Sequence, residues 1–197
     1  MKLMHSEWQD RVKHWIRTLK DDFYEPLGEI SWEAFTTMEY LTPQEAQEGD
    51  FAPVGPGFTW GREWEYAWFK GAITLPERAQ GQRIVMDLKP DGESALFVNG
   101  KAFGTYRASW VYEPHHFMED NVLSACGKKG EHFDLLMETY AGHFIPEAPT
   151  GGCATGPVLP GAYRDGAEEG KRRVLGKCTY GIWNEEAYQL YMDVSTL

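Results

Sequence analysis

The residues best suited to chemistry form an aromatic cluster in a turn-rich stretch between two predicted strands. The cluster combines flat rings with hydrogen-bonding side chains: Tyr106, Arg107, Trp110, Tyr112, His115 and His116. An aromatic ring offers a flat amphipathic surface on which a pyranose face can stack, while neighbouring polar groups bond its hydroxyls. The cluster is therefore a candidate carbohydrate-binding site. The alternative, which we favour, is that these rings form a packing plug beneath a loop.

Other residue patterns single out no catalytic or metal site. Glycosidases need two carboxyl groups flanking the scissile bond, but the chain has 30 Asp and Glu residues and no spacing selects a pair. His115 and His116 are adjacent, so in a strand they would point to opposite faces. The glycine-rich stretch Thr150–Pro157 lacks the residue order of a phosphate-binding loop, and Cys153 has no neighbouring histidine in sequence. We assign no catalytic residue, no metal ligand and no cofactor to this chain.

Charge and composition exclude several classes of partner. The chain has 197 residues and a net charge of −11, so it repels nucleic-acid phosphates and anionic membrane surfaces. No apolar run approaches the roughly 20 residues that span a bilayer, and the first residues do not resemble an export signal. Cys126, Cys153 and Cys178 are odd in number and widely spaced, which indicates reduced thiols rather than a disulfide framework. We expect a cytoplasmic protein without nucleic-acid or membrane partners.

An amphipathic helix is predicted near the start of the chain. Ser6 and Gln9 have the spacing of a capping box. Apolar residues then recur at helical spacing on one stripe: Trp8, Val12, Trp15, Ile16 and Leu19. Two indoles on one stripe need a partner surface, which is either the chain's own β domain or a neighbouring domain.

Beyond Asp22 the sequence is irregular up to residue 45, apart from one short helical turn. Thr42 is a cap residue, Pro43 occupies the first helical position and Glu45 the third. We predict that residues 1–45 form the helix and an irregular lead-in.

The remainder, residues 46–197, has the period of two that is typical of strands. Strands are predicted at residues 64–75, 83–89, 94–98, 132–140 and 186–194. Asn99-Gly100 is a hairpin-turn signal that leads to Ala102-Phe103. Short strands, Gly/Pro turns and no interleaved helices predict an antiparallel β-sandwich or jelly roll, similar to galactose-binding domains. The Gly/Pro-rich stretch at about residues 145–177 has no period and is a long loop, functional or disordered.

Several of these segments resemble one known family in their order and spacing. The segments are Trp60-Gly61 followed by Trp64 and Ala67–Lys70, then Ile73–Pro76, Gly92–Gly100 and Tyr140–His143. They resemble the N-terminal β domain of the glycoside hydrolase family 38 α-mannosidases. The first helix and the closing segment Ala187–Asp193 stand where that family has its lead-in helix and its passage into the catalytic domain.

The resemblance implies that the chemistry lies elsewhere. In that family the zinc ligands, the nucleophilic aspartate and the acid/base carboxylate belong to the following α/β domain, and no motif for them can be mapped here. We therefore expect a fragment of a longer chain: a non-catalytic accessory domain that braces a zinc-containing catalytic domain and helps to shape its cleft.

Interdomain contact is expected through Trp8, Trp15 and Tyr191, and the isolated fragment is expected to self-associate through the same apolar surface. Two alternatives remain open, a free-standing carbohydrate-binding module and a small sandwich hydrolase that uses its own carboxylates.

Overall fold

The computed structural model describes residues 2–62, 64–107, 121–142 and 172–196. Within these ranges the α-helices are α1 (Lys2–Leu19), α2 (Pro43–Ala46) and α3 (Glu185–Ser195). The strands are β1 (Tyr24–Glu29), β2 (Trp32–Thr37), β3 (Ala52–Val54), β4 (Thr59–Trp60), β5 (Tyr66–Thr74), β6 (Ile84–Asp87), β7 (Glu93–Val98), β8 (Lys101–Arg107), β9 (Val122–Ser124), β10 (His132–Tyr140), β11 (Arg173–Val174) and β12 (Thr179–Trp183).

Two antiparallel sheets form a sandwich, which confirms the predicted fold class. One sheet has four strands in the order β1-β12-β6-β9, and the other has six in the order β3-β2-β5-β10-β7-β8. A two-stranded ribbon pairs β4 with β11. The main core lies between the sheets, where Ile84 and Met86 of the smaller sheet are buried in one cluster with Phe69, Leu96 and Met137 of the larger.

Two local predictions are confirmed by hydrogen bonds and backbone angles. Thr42 caps α2: its hydroxyl accepts the Glu45 N–H at 3.3 Å, and its own N–H donates to the Glu45 carboxylate at 2.8 Å. Asn99 and Gly100 join β7 to β8 and have φ of 51° and 73°. A two-residue hairpin turn of this type requires positive φ at both positions.

The predicted strand over residues 186–194 is wrong, because this segment forms helix α3. Its apolar residues fit a period of two, but Ala187, Tyr188, Tyr191 and Val194 also recur at helical spacing, and these are the residues that α3 packs inward or half-buries. The Asn184 side chain accepts the Ala187 N–H at 3.1 Å and caps the first turn.

The first 45 residues also differ from the prediction. Helix α1 begins at Lys2, so Ser6 lies inside it rather than at its cap. The segment expected to be an irregular lead-in contains β1 and β2, which belong to the two sheets. Their short, weakly alternating sequences carry little strand signal, and pairing with β12 and β5 determines their conformation.

Helices α1 and α3 meet on the outer face of the four-stranded sheet. Phe23 is the centre of this second cluster: its ring lies 5.5 Å from Tyr188 and 5.3 Å from Tyr191, both edge-on. Leu19 is buried in the same cluster, whereas Trp8 and Trp15 are 60% and 45% exposed. Among the described residues no helix is both long and apolar enough to cross a bilayer.

Gly181 in β12 allows β1 to approach closely, and an alanine there tests this packing. A Cβ on Gly181 would lie 2.2 Å from the Glu25 carbonyl oxygen. We expect Gly181→Ala to lower the free energy of unfolding by about 1–3 kcal/mol, the usual cost of overpacking. Gly55→Ala is the matched control, because nothing lies within 4 Å of its Cβ position. Urea denaturation of both variants is the measurement, and equal midpoints would contradict this packing.

Candidate functional site

The outer face of the six-stranded sheet is covered at one end and open at the other. The covered part is a small cluster in which Trp68 and Leu136 are buried beneath Ala46 of α2. Leu41 and Phe51, on either side of α2, pack against the same cluster. The open part lies where β5 begins and β10 ends, and the candidate site lies there.

Strand register brings a small side chain among large ones at the open end. Tyr140 of β10 lies between Tyr66 of β5 and Glu93 of β7. In the next row of the same face, Ala95 of β7 lies between Glu138 of β10 and Thr105 of β8. The Ala95 side chain ends at Cβ, so the larger side chains around it leave an open cleft of about 400 Å³ above it. We call this the Ala95 cleft.

Tyrosine rings form one wall of the Ala95 cleft. The rings of Tyr66 and Tyr140 are stacked with centroids 5.0 Å apart and planes 30° apart. Tyr40 approaches Tyr66 edge-on at 6.1 Å. Both stacked tyrosines are half-buried, so each presents ring surface to the cleft and is fixed by its neighbour.

Glu138 is the half-buried carboxyl group of the Ala95 cleft. Burial raises the pKa of Glu138 above its ordinary value, because desolvation disfavours the charged form. Burial also raises the pKa of Tyr66, and the neighbouring Glu138 charge acts in the same direction. The cleft therefore combines aromatic surface, a hydroxyl from Thr105 and a carboxyl that is poorly solvated.

A buried carboxylate positions the start of β5 and with it Tyr66. Glu65 is 3% exposed and accepts the N–H groups of Gly61 at 2.8 Å and Arg62 at 2.9 Å. Its second oxygen accepts two bonds from the Arg62 guanidinium at 3.2 and 3.3 Å. Burial alone would raise the pKa of Glu65, but these hydrogen bonds and one from Thr36 outweigh burial and hold the pKa below its ordinary value.

The same turn is bonded to the end of β10. Trp64 has φ of 66°, which is unfavourable for a bulky residue, and its N–H donates to the Gly142 carbonyl at 3.0 Å. The Ala141 N–H donates to the Glu65 carbonyl at 3.0 Å. The guanidinium of Arg173 in β11 donates to the Ala141 carbonyl at 2.7 and 3.0 Å. We call this network around Glu65 the Glu65 clasp.

A second, larger groove runs beside α3, between Asp22, Glu25 and Glu186, with a volume of about 970 Å³. Two of the carboxylates in this groove form hydrogen bonds or ion pairs with other residues of the fold. Glu185 accepts bonds from Arg83 at 2.5 Å and from the Trp183 indole at 2.9 Å. Glu25 forms an ion pair with Arg78. This groove lies against the four-stranded sheet, which contains β1 and β12.

Two of the six predicted carbohydrate-binding residues, Tyr106 and Arg107, lie in the described part of the chain. Tyr106 lies in β8 opposite Ser94 and is 8% exposed within the main core, so its ring is a packing element, and burial strongly raises its pKa. Arg107 ends β8 in register with Glu93. Trp110, Tyr112, His115 and His116 lie outside the described residues. The predicted loop lies outside the described residues up to residue 171.

Sequence reasoning missed Tyr66, Glu138 and Tyr140. Alternation within His132–Tyr140 places Glu138 and Tyr140 on the face opposite Phe133, Leu135 and Met137, so their outward orientation could have been found. What the sequence does not show is that Tyr66 and Ala95 would be their neighbours.

Of the predicted interdomain residues, Trp8 and Trp15 are exposed, while Tyr191 is half-buried against Phe23. Among described cysteines, Cys126 is an exposed free thiol and Cys178 a buried one. Within the described ranges no three His, Cys, Asp or Glu residues are grouped as metal ligands.

Comparison with known proteins identifies the family. Residues 28–156 match the family model described as "Alpha-mannosidase, jelly roll domain". The chain belongs to this family. The strand segments that carried the resemblance, between Trp60 and His143, lie inside the matched region, whereas the first helix and Ala187–Asp193 lie outside it. The predicted relationship is confirmed.

Curated relatives agree with this assignment. Human (Homo sapiens) alpha-mannosidase 2C1 is 31% identical over 108 residues, which cover 46% of this chain and 10% of that protein. The mouse (Mus musculus) alpha-mannosidase 2C1 is 29% identical over 72 residues, which cover 36% of this chain and 7% of that protein. The chain thus matches only a small part of these relatives' length.

Two solved bacterial enzymes also align with the chain. A β-glucuronidase from Ruminococcus gnavus aligns with a TM-score of 0.47 and 12% identity over 82% of this chain and 29% of its own. Faecalibacterium prausnitzii β-glucuronidase aligns with a TM-score of 0.44 and 14% identity over 82% of this chain and 31% of its own.

The Glu65 clasp predicts a loss of stability in Glu65→Gln. This substitution removes the charge that accepts bonds from Gly61 and Arg62, so we expect about 2–4 kcal/mol lower free energy of unfolding at neutral pH. Because the pKa of Glu65 is lowered in the fold, its stabilisation is present above the ordinary value of 4.5 and is lost as the pH falls through the folded pKa. The measurement is urea denaturation across this pH range, with the exposed Glu48→Gln as control; an unchanged midpoint at neutral pH would contradict the clasp.

Glu138→Gln should raise the stability of the chain at neutral pH, in contrast to Glu65→Gln, which should lower it. Because the pKa of Glu138 is raised in the fold, the ionised carboxylate destabilises the chain once the pH exceeds the folded pKa. We expect the substitution to raise Tm at about pH 7 and to leave Tm nearly unchanged at about pH 4, where the wild-type carboxyl is largely protonated. Thermal denaturation at both pH values tests this. A lower Tm at neutral pH would show instead that the carboxylate supports the fold.

Proposed function

We propose that this chain is a non-catalytic accessory domain of an α-mannosidase-like glycoside hydrolase. The observation that carries the proposal is the family match over residues 28–156, combined with relatives of which the chain covers only 10% and 7%. A jelly-roll unit of this size within a much longer enzyme suits a supporting role. The hydrolytic residues and any zinc ion would then belong to the rest of the polypeptide.

The surface that would brace a catalytic domain is the exposed stripe of α1. Trp8, Val12 and Trp15 are 60%, 41% and 45% exposed, and exposed apolar area of this kind often marks a partner surface. The end of α1 is anchored through Leu19, which is buried in the cluster around Phe23. Tyr191 belongs to that anchor, so its part in the contact would be to hold α1 in position. In an isolated chain the same stripe would favour self-association.

A carbohydrate-binding role is the second candidate, and the Ala95 cleft favours it. The cleft is an open site with aromatic and hydrogen-bonding groups on a sheet face. This role is compatible with the first, because an accessory domain that holds sugar next to a catalytic domain would also help to shape its cleft.

Two assays test the accessory role. Purified chain supplied with zinc should not hydrolyse an aryl α-mannoside, whereas the full-length polypeptide should. Turnover by the isolated chain that disappears on substitution of one of its own carboxylates would overturn the proposal.

The bracing contact is tested in the same full-length protein. Trp8→Gln with Trp15→Gln should lower the Tm of the catalytic domain, because both indoles lose their partner surface. Asp10→Asn with Lys13→Gln is the matched control, since both lie on the opposite side of α1 and together leave its net charge unchanged. Equal melting curves for both double variants would exclude this helix as the brace.

A further inference from the structure

We propose that the Ala95 cleft binds a pyranose ring, with Tyr140 and Tyr66 as the aromatic wall and Glu138 as the principal hydrogen-bond acceptor. This inference deepens the carbohydrate-binding candidate, and only the choice of an α-mannoside as first probe rests on the proposed function. It assigns the site to strands β5, β7, β8 and β10, and of the predicted aromatic cluster Tyr106 lines it.

Strand register gives the Ala95 cleft its shape. Ala95 is the small member of a row that contains Glu138 on one side and Thr105 on the other, and the adjacent row contains Tyr140 and Glu93. The resulting volume of about 400 Å³ exceeds that of one monosaccharide and is open to solvent, so a sugar could enter without rearrangement of the sheet.

The ionised Glu138 carboxylate lowers the stability of the fold. Its raised pKa means that the empty cleft solvates the carboxylate poorly. A group that lowers stability and lies in a cleft is a candidate functional group, since folding alone does not favour it. Sugar hydroxyls would supply hydrogen-bond donors to this carboxylate, while the apolar C–H face of the ring would cover Tyr140.

An organic cation fits the Ala95 cleft less well than a pyranose does. A quaternary ammonium group is held best by aromatic rings on several sides of a compact cage. In the Ala95 cleft the rings of Tyr66 and Tyr140 lie in one stack, and the opposite side is formed by Thr105 and Glu93. One flat wall facing polar groups fits a ring-shaped ligand with hydroxyls at its edge.

The test is an NMR titration of the ¹⁵N-labelled chain with methyl α-D-mannopyranoside and then with the matching glucoside and galactoside. We expect saturable shifts of the Ala95, Glu138 and Tyr140 amides with a millimolar dissociation constant, as is usual for a single sugar in an open site. Glu138→Gln should weaken binding by about tenfold, because a charge-assisted hydrogen bond becomes a neutral one. Ala95→Phe should fill the cleft and abolish the shifts.

Matched controls come from the same sheet face. Asp134→Asn lies on β10 four residues from Glu138, and Ala72→Phe on β5 lies about 13 Å along the strand from the row of Ala95. Both should retain wild-type affinity. A thermal melt establishes that each variant is folded, and Ala95→Leu replaces Ala95→Phe if the larger ring prevents folding.

The outcomes separate this inference from the proposed function. Binding of any of these pyranosides that is lost in Ala95→Phe and kept in Ala72→Phe supports the cleft, even where glucoside is preferred to mannoside. No saturable shift with any sugar, shifts that persist in Ala95→Phe, or binding of tetramethylammonium in place of sugars would overturn it. The proposed accessory role is judged separately, by hydrolysis of aryl α-mannoside.

Discussion

The Glu65 carboxylate, buried and saturated with hydrogen bonds, is the interaction on which the open end of the six-stranded sheet depends. It bonds the backbone of Gly61 and Arg62 on one oxygen and the Arg62 guanidinium on the other. The neighbouring backbone bonds then tie this turn to Ala141 and Gly142 at the end of β10. Because β5 begins at the next residue and pairs with β10 throughout, the clasp fixes where Tyr66 meets Tyr140.

Glu65, which is buried, and Glu138, which is half-buried, thus have opposite electrostatic effects on the fold, although they lie only a few residues apart in the sheet. Glu65 has donors that outweigh its desolvation, so its pKa is lowered and its charge stabilises the fold. Glu138 is desolvated without such compensation, so its pKa is raised and its charge costs stability. The Glu65 clasp fixes the backbone beside the cleft, and the rest of the fold offsets the unfavourable desolvation of Glu138. Together these two features resemble a preorganised binding site.

The sequence predicted those features that depend on local pattern. Alternation identified β5, β7 and β10, and residue type identified the Thr42 cap and the Asn99-Gly100 hairpin. It failed for α3, because the residues from Ala187 to Val194 fit both periods and only the Asn184 cap and the cluster around Phe23 decide between them. The Ala95 cleft was beyond sequence reasoning for a different reason: it is made by register between strands that are distant in sequence, such as Tyr66 and Tyr140. The burial of Tyr106 in the main core agrees with the packing role that the sequence analysis favoured for its ring.

A crystal structure of the chain soaked with a mannobioside tests the central claim most directly, because it shows the ligand's position as well as its binding. We expect a pyranose ring above Ala95, with one face against Tyr140 and a hydroxyl within hydrogen-bonding distance of the Glu138 carboxylate. We also expect the hydrogen bonds of the Glu65 clasp to be unchanged by the ligand. An empty Ala95 cleft beside a sugar bound elsewhere on the chain would contradict the account.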